Sequence, residues 1–441
     1  MCLILFYRSH SLTQALAANW DNQGPDSVLE YRGYFATIAQ IPQKEPALFP
    51  KYWLFIIWDT WDILVAMIKQ LDELYRIDNY NDTFALGHYA RVMDALDRRS
   101  GHMVAFKVMR PEHLSADGDV RWEYRAFANE ASLLMKLADS PHVVDLLDCG
   151  FVSSPAEHPD DGEIVSFQHD VMGFGTAIEE YAAQGWRPFL SLQNLPRTRN
   201  LLYLMKPNHP GVRWRLPSEE GIALALQFAN ILRLAHQNQV VYLDHKLEHV
   251  YWDGTHLQII DFNSSRQLNP AENGHEFQFS LDVHNLCVGI LYPIFTGLSP
   301  QKAALRPQPG RLSDVEERYK NITQLDFGVE PTLSEGIKEL LQAGAAMQLA
   351  NVDEFIEGLR VAGAALGWDF PNHYTSPASR DARTQMRAGV TRLRNGQDSL
   401  REARDLFREA AIQEGITPEL EHELRRLVKS VNEMLTHRVI P

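Results

Sequence analysis

Residues 242–265 read YLDHKLEHVYWDGTHLQIIDFNSS, and the rest of the chain is organised around them. The stretch opens on Asp244-x-Lys246-x-Glu248, turns at Asp253-Gly254, runs through an apolar strand and ends on Asp261-Phe262-Asn263. Two carboxylates thus stand at the two ends of one small β-turn-β unit. That placement suits phosphoryl chemistry on a metal nucleotide, where one carboxylate handles a hydroxyl proton and the other holds Mg²⁺.

Immediately before this stretch, Ser218 is positioned to cap a helix running to about Gln237, with Ile222, Leu226, Leu232 and Ala235 on its inner face. Leu201–Asn208 has a strand pattern that turns at Pro207. Residues 153–198 are rich in Ser, Pro, Asp and Gly at first, then carry a small amphipathic piece around Ile178–Trp186. Such a stretch can be a lid, a docking site or a surface excursion. Glu123–Ala138 has helical spacing, and Phe84–Val92 and Met103–Met109 flank a turn at Arg98–Gly101, which predicts a hairpin.

The most apolar segment is Tyr52–Ile68. Asp59 and Asp62 lie in its middle, and its apolar residues continue at helical spacing through Leu71 to Tyr75, so a helix packed on a neighbouring domain is expected rather than a membrane span. Downstream, residues 313–367 read as helices, and Phe370–Ser379 marks a break. The last 60 or so residues are charged and helical, and Ala403, Phe407 and Ala410 match part of a single tetratricopeptide unit. One such unit cannot bury its own face, so docking onto the rest of the chain or onto a partner is expected.

The chain has 441 residues, 45% of them apolar and 10% aromatic, enough for two or three domains with real cores. A net charge of −15 offers no footprint for nucleic acid or an anionic membrane, which leaves proteins and small molecules as expected partners or substrates. Three scattered cysteines, Cys2, Cys149 and Cys287, fit neither a disulfide framework nor a paired metal motif. The start, MCLILFYRSHSL, makes a poor signal peptide, and a reducing, cytoplasmic setting is the expectation.

Taken in order, residues 80–367 resemble the protein-kinase-like superfamily. Met103–Met109 is similar to the V-A-I-K strand, with Lys107 in the place of the phosphate-pairing lysine, and Gly87 matches the middle glycine of the loop before it. Glu130 resembles the helix glutamate that pairs with that lysine, and Ser140–Phe151 resembles the next strand. The resemblance makes 153–198 an insertion and the end of Leu201–Asn208 the hinge, so that backbone groups of Met205, Lys206 and Pro207 meet the adenine of ATP. It makes Asp244 the residue that orients or deprotonates the acceptor hydroxyl, Lys246 the γ-phosphate lysine, Asp261 the principal Mg²⁺ ligand, and Asp282 the anchor of the catalytic-loop backbone.

The fold so implied is α+β and bilobal: an N-terminal helical extension at 1–79, a small β-rich lobe at 80–207, a larger helical lobe at 208–369 and a C-terminal helical segment at 380–441. His249 replaces the metal-binding asparagine of the family. Imidazole is a poor Mg²⁺ ligand, so either a softer ion such as Mn²⁺ is accepted or His249 hydrogen-bonds within the loop. Leu243 replaces the arginine that would receive an activation-loop phosphate, Asn263 replaces a glycine, and only 21 positions separate Asp261 from Asp282 with no A-P-E between them. The expected activity is a divergent serine/threonine kinase not switched by loop phosphorylation. The alternative is a pseudokinase acting as a nucleotide-binding or interaction scaffold.

Overall fold

Short strands with buried faces build the first half of the chain into one antiparallel sheet. The computed structural model describes residues 68–81, 87, 89–114, 120–205, 215–272, 274–299, 315, 318–370, 374, 377–412 and 418–436, nearly all within the unit Lys69–Pro441. In chain order the sheet elements are β1 (Ile68–Gln70), a short helix α1 (Leu71–Leu74), β2 (Tyr75–Tyr80), β3 (Ala90–Asp97), β4 (His102–Met109), the helix α2 (Trp122–Lys136), β5 (Leu146–Val152), β6 (Glu163–Ser166), α3 (Val171–Ala183) and β7 (Arg187–Gln193). The strands lie in the order β1-β6-β5-β7-β4-β3-β2. One face packs Phe106 in a stack on Phe189 at 4.8 Å, together with Tyr75, Val104 and Ile164; the other packs under α2 and α3.

Three expectations are corrected here. Residues 153–198 are not an excursion, because they supply β6, α3 and the inner strand β7, which pairs with both β4 and β5. Phe189, Leu190 and Leu192 are all buried, and a strand covered on both faces shows no alternation to find it by. Leu201–Met205 is a helix, α4, not a strand. Asn200 decides it: its side-chain oxygen accepts from the N–H groups of Leu202 at 3.0 Å and Tyr203 at 3.4 Å, while its amide donates to the Glu248 carbonyl at 2.7 Å. Finally, the sheet begins at Ile68 rather than at 80, and within 68–80 only the single turn Leu71–Leu74 is helical. The remainder of that expected helix lies outside the described residues.

Beyond α4 the chain is mostly helical. The long helix α5 (Ser218–Gln237) lies against α6 (Glu276–Asn285), which continues through a π-helical stretch at Leu286–Leu291 into α7 (Tyr292–Thr296). Helices α8 (Glu335–Ala345) and α9 (Val352–Ala365) complete this half. Gly221 lets α5 approach α7, since a Cβ there would stand 2.4 Å from the Phe295 ring. Between α5 and α6 lie two antiparallel ribbons, β8 (Val240–Val241) with β11 (Arg266–Gln267), and β9 (Val250–Trp252) with β10 (Leu257–Ile259).

The α+β expectation therefore holds, with the sheet N-terminal and most helices C-terminal. Among the described residues one helix, Glu276–Thr296, is long and apolar enough to cross a membrane, and it is mostly buried in the core. Beyond residue 376 the described residues form two helices, α10 (Pro377–Ala411) and α11 (Pro418–Thr436), which pack on each other.

Candidate functional site

Where the sheet meets the first ribbons, seven of the predicted side chains converge. Lys107 points inward from β4, paired in register with Val92 and Leu190. Its Nζ reaches both oxygens of Glu130 on α2, at 3.0 and 2.7 Å, and Oδ1 of Asp261 at 2.8 Å. Burial works against the charge on Lys107, but the carboxylates of Asp261 and Glu130 outweigh it and hold the ammonium well above its usual range. Burial pushes the fully covered Glu130 upward, against the pull of Lys107.

The two acidic loops are stitched to the helical half by backbone hydrogen bonds. Asp282, fully buried on α6, accepts from the N–H groups of Tyr242 and Leu243 at 2.8 Å each and meets His236 Nε2 at 3.0 Å. Burial would raise its pKa, and these donors with nearby His245 lower it instead. Asn285 donates to the Leu243 carbonyl at 3.1 Å. Leu243 and Asp261 both have φ of 65°, a left-handed conformation that side-chain-bearing residues adopt only when their surroundings enforce it. Tyr242 ties the loops together, its hydroxyl donating to Ile260 O at 2.8 Å while its carbonyl accepts from Ser265 Oγ at 3.0 Å.

Asp244 is almost wholly buried and stays ionised. Burial opposes its charge, but Lys246 at 2.9 Å, His249 and Arg318 together hold it well below the usual carboxylate range. Arg318 Nη1 is bonded directly to Asp244 Oδ1. His249 is buried behind the loop, with Nδ1 3.0 Å from the Asp244 carbonyl and Nε2 3.2 Å from Asp261 Oδ2. A carbonyl only accepts, so Nδ1 carries a proton, and that bond turns Nε2 toward Asp261. Asn263 Nδ2 steadies the other oxygen, Oδ1, at 2.5 Å.

Asp244, His249 and Asp261 each offer a ligand atom within 4.8 Å of the others. Two oxygens and one imidazole nitrogen, the last oriented by a backbone carbonyl, suit a divalent transition ion such as Mn²⁺ better than Mg²⁺.

The remaining predicted residues are placed differently. Gly87 lies just before β3, and its carbonyl accepts from Arg91 Nη1 at 2.6 Å. Met205 closes α4 as a buried core residue, and Lys206 and Pro207 lie outside the described residues. The strand beside β4 is β7, so the chain leaves the sheet at Gln193, where Gln193 Oε1 accepts from Gln258 Nε2 at 2.7 Å. Arg318 was not legible in the sequence: it lies far beyond Asp261, outside any motif, and only the fold brings it to Asp244. In comparisons with known proteins, the sequence matches no family model and no curated protein.

Proposed function

We propose that the chain is an ATP-dependent phosphotransferase of protein-kinase-like architecture, with ATP held between the sheet and the helical half. The observation that carries this reading is the joining of Lys107 to both Glu130 and Asp261, with Asp244 and His249 within ligand distance of Asp261. Separate elements supply these groups, and a purely structural ion pair has no need of so many. In this reading Lys107, steadied by Glu130, takes the nucleotide phosphates, and the backbone at the end of β7, from Gln193, replaces Met205–Pro207 at the adenine.

Asp261 and His249, with Asp244 close by, would hold the divalent ion, which when bound neutralises phosphate charge. Asp244 accepts the hydrogen bond of the acceptor hydroxyl. The acceptor oxygen bonds to the γ-phosphorus, the bond from that phosphorus to the ADP oxygen breaks, and the hydroxyl proton passes to Asp244. Lys246 stabilises charge on the transferred group. The low pKa of Asp244 suits a loose transition state, in which orientation counts for more than basicity.

The contact of Arg318 with Asp244 favours a second reading, a nucleotide-binding scaffold without transfer. Thermal shift with ATP and Mn²⁺ or Mg²⁺ tests the binding shared by both. Stabilisation that disappears in Asp261→Asn is expected, and none with either ion removes the enzyme reading. Transfer of labelled γ-phosphate to the chain itself or to lysate proteins then separates the two, and signal undiminished in Asp244→Asn would assign the chemistry elsewhere.

A further inference from the structure

Tyr319 is keyed beneath the loop that carries Asp244. Its hydroxyl donates to the His245 carbonyl at 2.8 Å, its carbonyl meets His284 Nε2 at 3.0 Å, and its ring packs with Val288 and Ala345. The ring fits because position 289 is glycine: a Cβ there would stand 2.7 Å from the Tyr319 ring and 2.8 Å from the His245 carbonyl oxygen. Gly289 lies in the π-helical stretch of the α6–α7 helix, a local irregularity of the kind that accompanies functional sites. With Tyr319 held this firmly, its neighbour Arg318 is delivered to Asp244 Oδ1 while Lys246 takes Oδ2.

Oδ1 is therefore engaged by a guanidinium where the acceptor hydroxyl needs it. Water or a neutral alcohol offers the guanidinium nothing in exchange for the carboxylate it would leave. A carboxylate or phosphate next to the hydroxyl does, since the planar fork of arginine pairs with either in the same two-point geometry. We propose that Arg318 determines acceptor specificity, holding Asp244 against water and neutral hydroxyls and releasing it to acceptors that carry an anionic group beside the reacting hydroxyl. The proposal rests on the phosphotransferase reading. It supplies the selectivity that the short segment between Asp261 and Asp282, occupied by β11 and the start of α6, leaves little room to provide as a peptide platform.

The test measures ATP turnover by the full chain with Mn²⁺ at matched ionic strength. Additions are none, glycerate, glycerol, a serine peptide flanked by aspartates, and the same peptide flanked by asparagines. In the wild type, glycerate or the aspartate peptide is expected to raise turnover roughly fivefold over its neutral counterpart. Glycerate acting alone identifies a small hydroxy acid as the source of the anion, and the peptide acting alone identifies an acidic protein segment. Arg318→Gln is expected to hydrolyse ATP roughly fivefold faster than wild type without additions and to lose the distinction within each pair, and Asp244→Asn in that background removes the gain.

Basal turnover in Arg318→Gln at or below wild type, or an unchanged charged-to-neutral ratio in that variant, overturns the proposal. Arg318→Lys, which keeps the charge and loses the fork, carries the same two readouts if the glutamine variant does not fold. Absence of any stabilisation of the wild type by ATP with Mn²⁺ would instead count against the phosphotransferase reading itself.

Discussion

His249 commits one ring nitrogen to the Asp244 carbonyl and turns the other toward Asp261, so its effect on the site is a choice of metal. Replacing it by asparagine substitutes a hard amide oxygen for imidazole. His249→Asn is expected to shift nucleotide-dependent stabilisation from Mn²⁺ toward Mg²⁺ by roughly tenfold in apparent affinity, read by thermal shift with ATP and each ion in turn. His245, one residue from Asp244, is a different kind of histidine. It is wholly buried, stacked on Phe228 at 5.4 Å and against Tyr242 at 5.0 Å, and burial lowers its pKa to about 4. In the unfolded chain it takes up a proton near pH ~6.5. The stability it contributes is therefore fully present above that value and is lost as the pH falls toward about 4. Between pH 7 and 5 the wild type is expected to lose about 2 kcal/mol that His245→Phe does not, measured by urea denaturation at each pH. Asp244, Asp261 and Asp282, all with lowered pKa values, extend the loss below the ordinary carboxylate range, because their contribution vanishes only as the pH drops through those lowered values.

The helix from Glu276 through Thr296 organises the elements around the site. Its Asp282 receives two backbone N–H groups from the loop before Asp244, and its Gly289 admits Tyr319. Asp282→Ala would bury both N–H groups without an acceptor and is expected to cost about 3 kcal/mol or more by chemical denaturation. Gly289→Ala meets a ring edge and a backbone carbonyl, neither of which can swing aside, and is expected to cost about 1–3 kcal/mol. If the Arg318 contact depends on that packing, the same variant also raises basal ATP turnover. The Asp282 contact and the Lys107–Glu130 pair were legible through the family resemblance, which named both partners of each. Strand β7 was hidden by burial on both faces, and α4 by five consecutive large side chains whose conformation is decided by a cap outside them, Asn200. Arg318 was hidden more deeply, since no local pattern records a contact that only the packing of Tyr319 creates.

At the scale of the whole molecule, the two halves are joined by more than the chain. Asn129 on α2 donates to the Ser265 carbonyl at 2.8 Å, Lys136 reaches Gln267 at 2.6 Å, and Val143 bridges Ile259, so the helix that carries Glu130 is fastened to the segment that carries Asp261. A helix held in this way keeps Glu130 fixed beside Lys107. The main core is continuous across both halves, and the last of the described residues to enter it is Tyr374, whose hydroxyl donates to the Gly254 carbonyl at the turn between β9 and β10. Among the described side chains of α10 and α11, none joins that core. Their described buried side chains, Leu424 and Val431 among them, belong to a hairpin in which the two helices contact each other extensively. A chain ending at residue 376 keeps Tyr374 and loses this hairpin. It is expected to unfold cooperatively within about 3 °C of the full chain, a shift worth on the order of 1 kcal/mol at this size, and to keep its stabilisation by ATP and Mn²⁺. Scanning calorimetry with and without nucleotide checks both. A fall of roughly 10 °C, or loss of the nucleotide response, would show that the hairpin braces the site rather than standing apart from it.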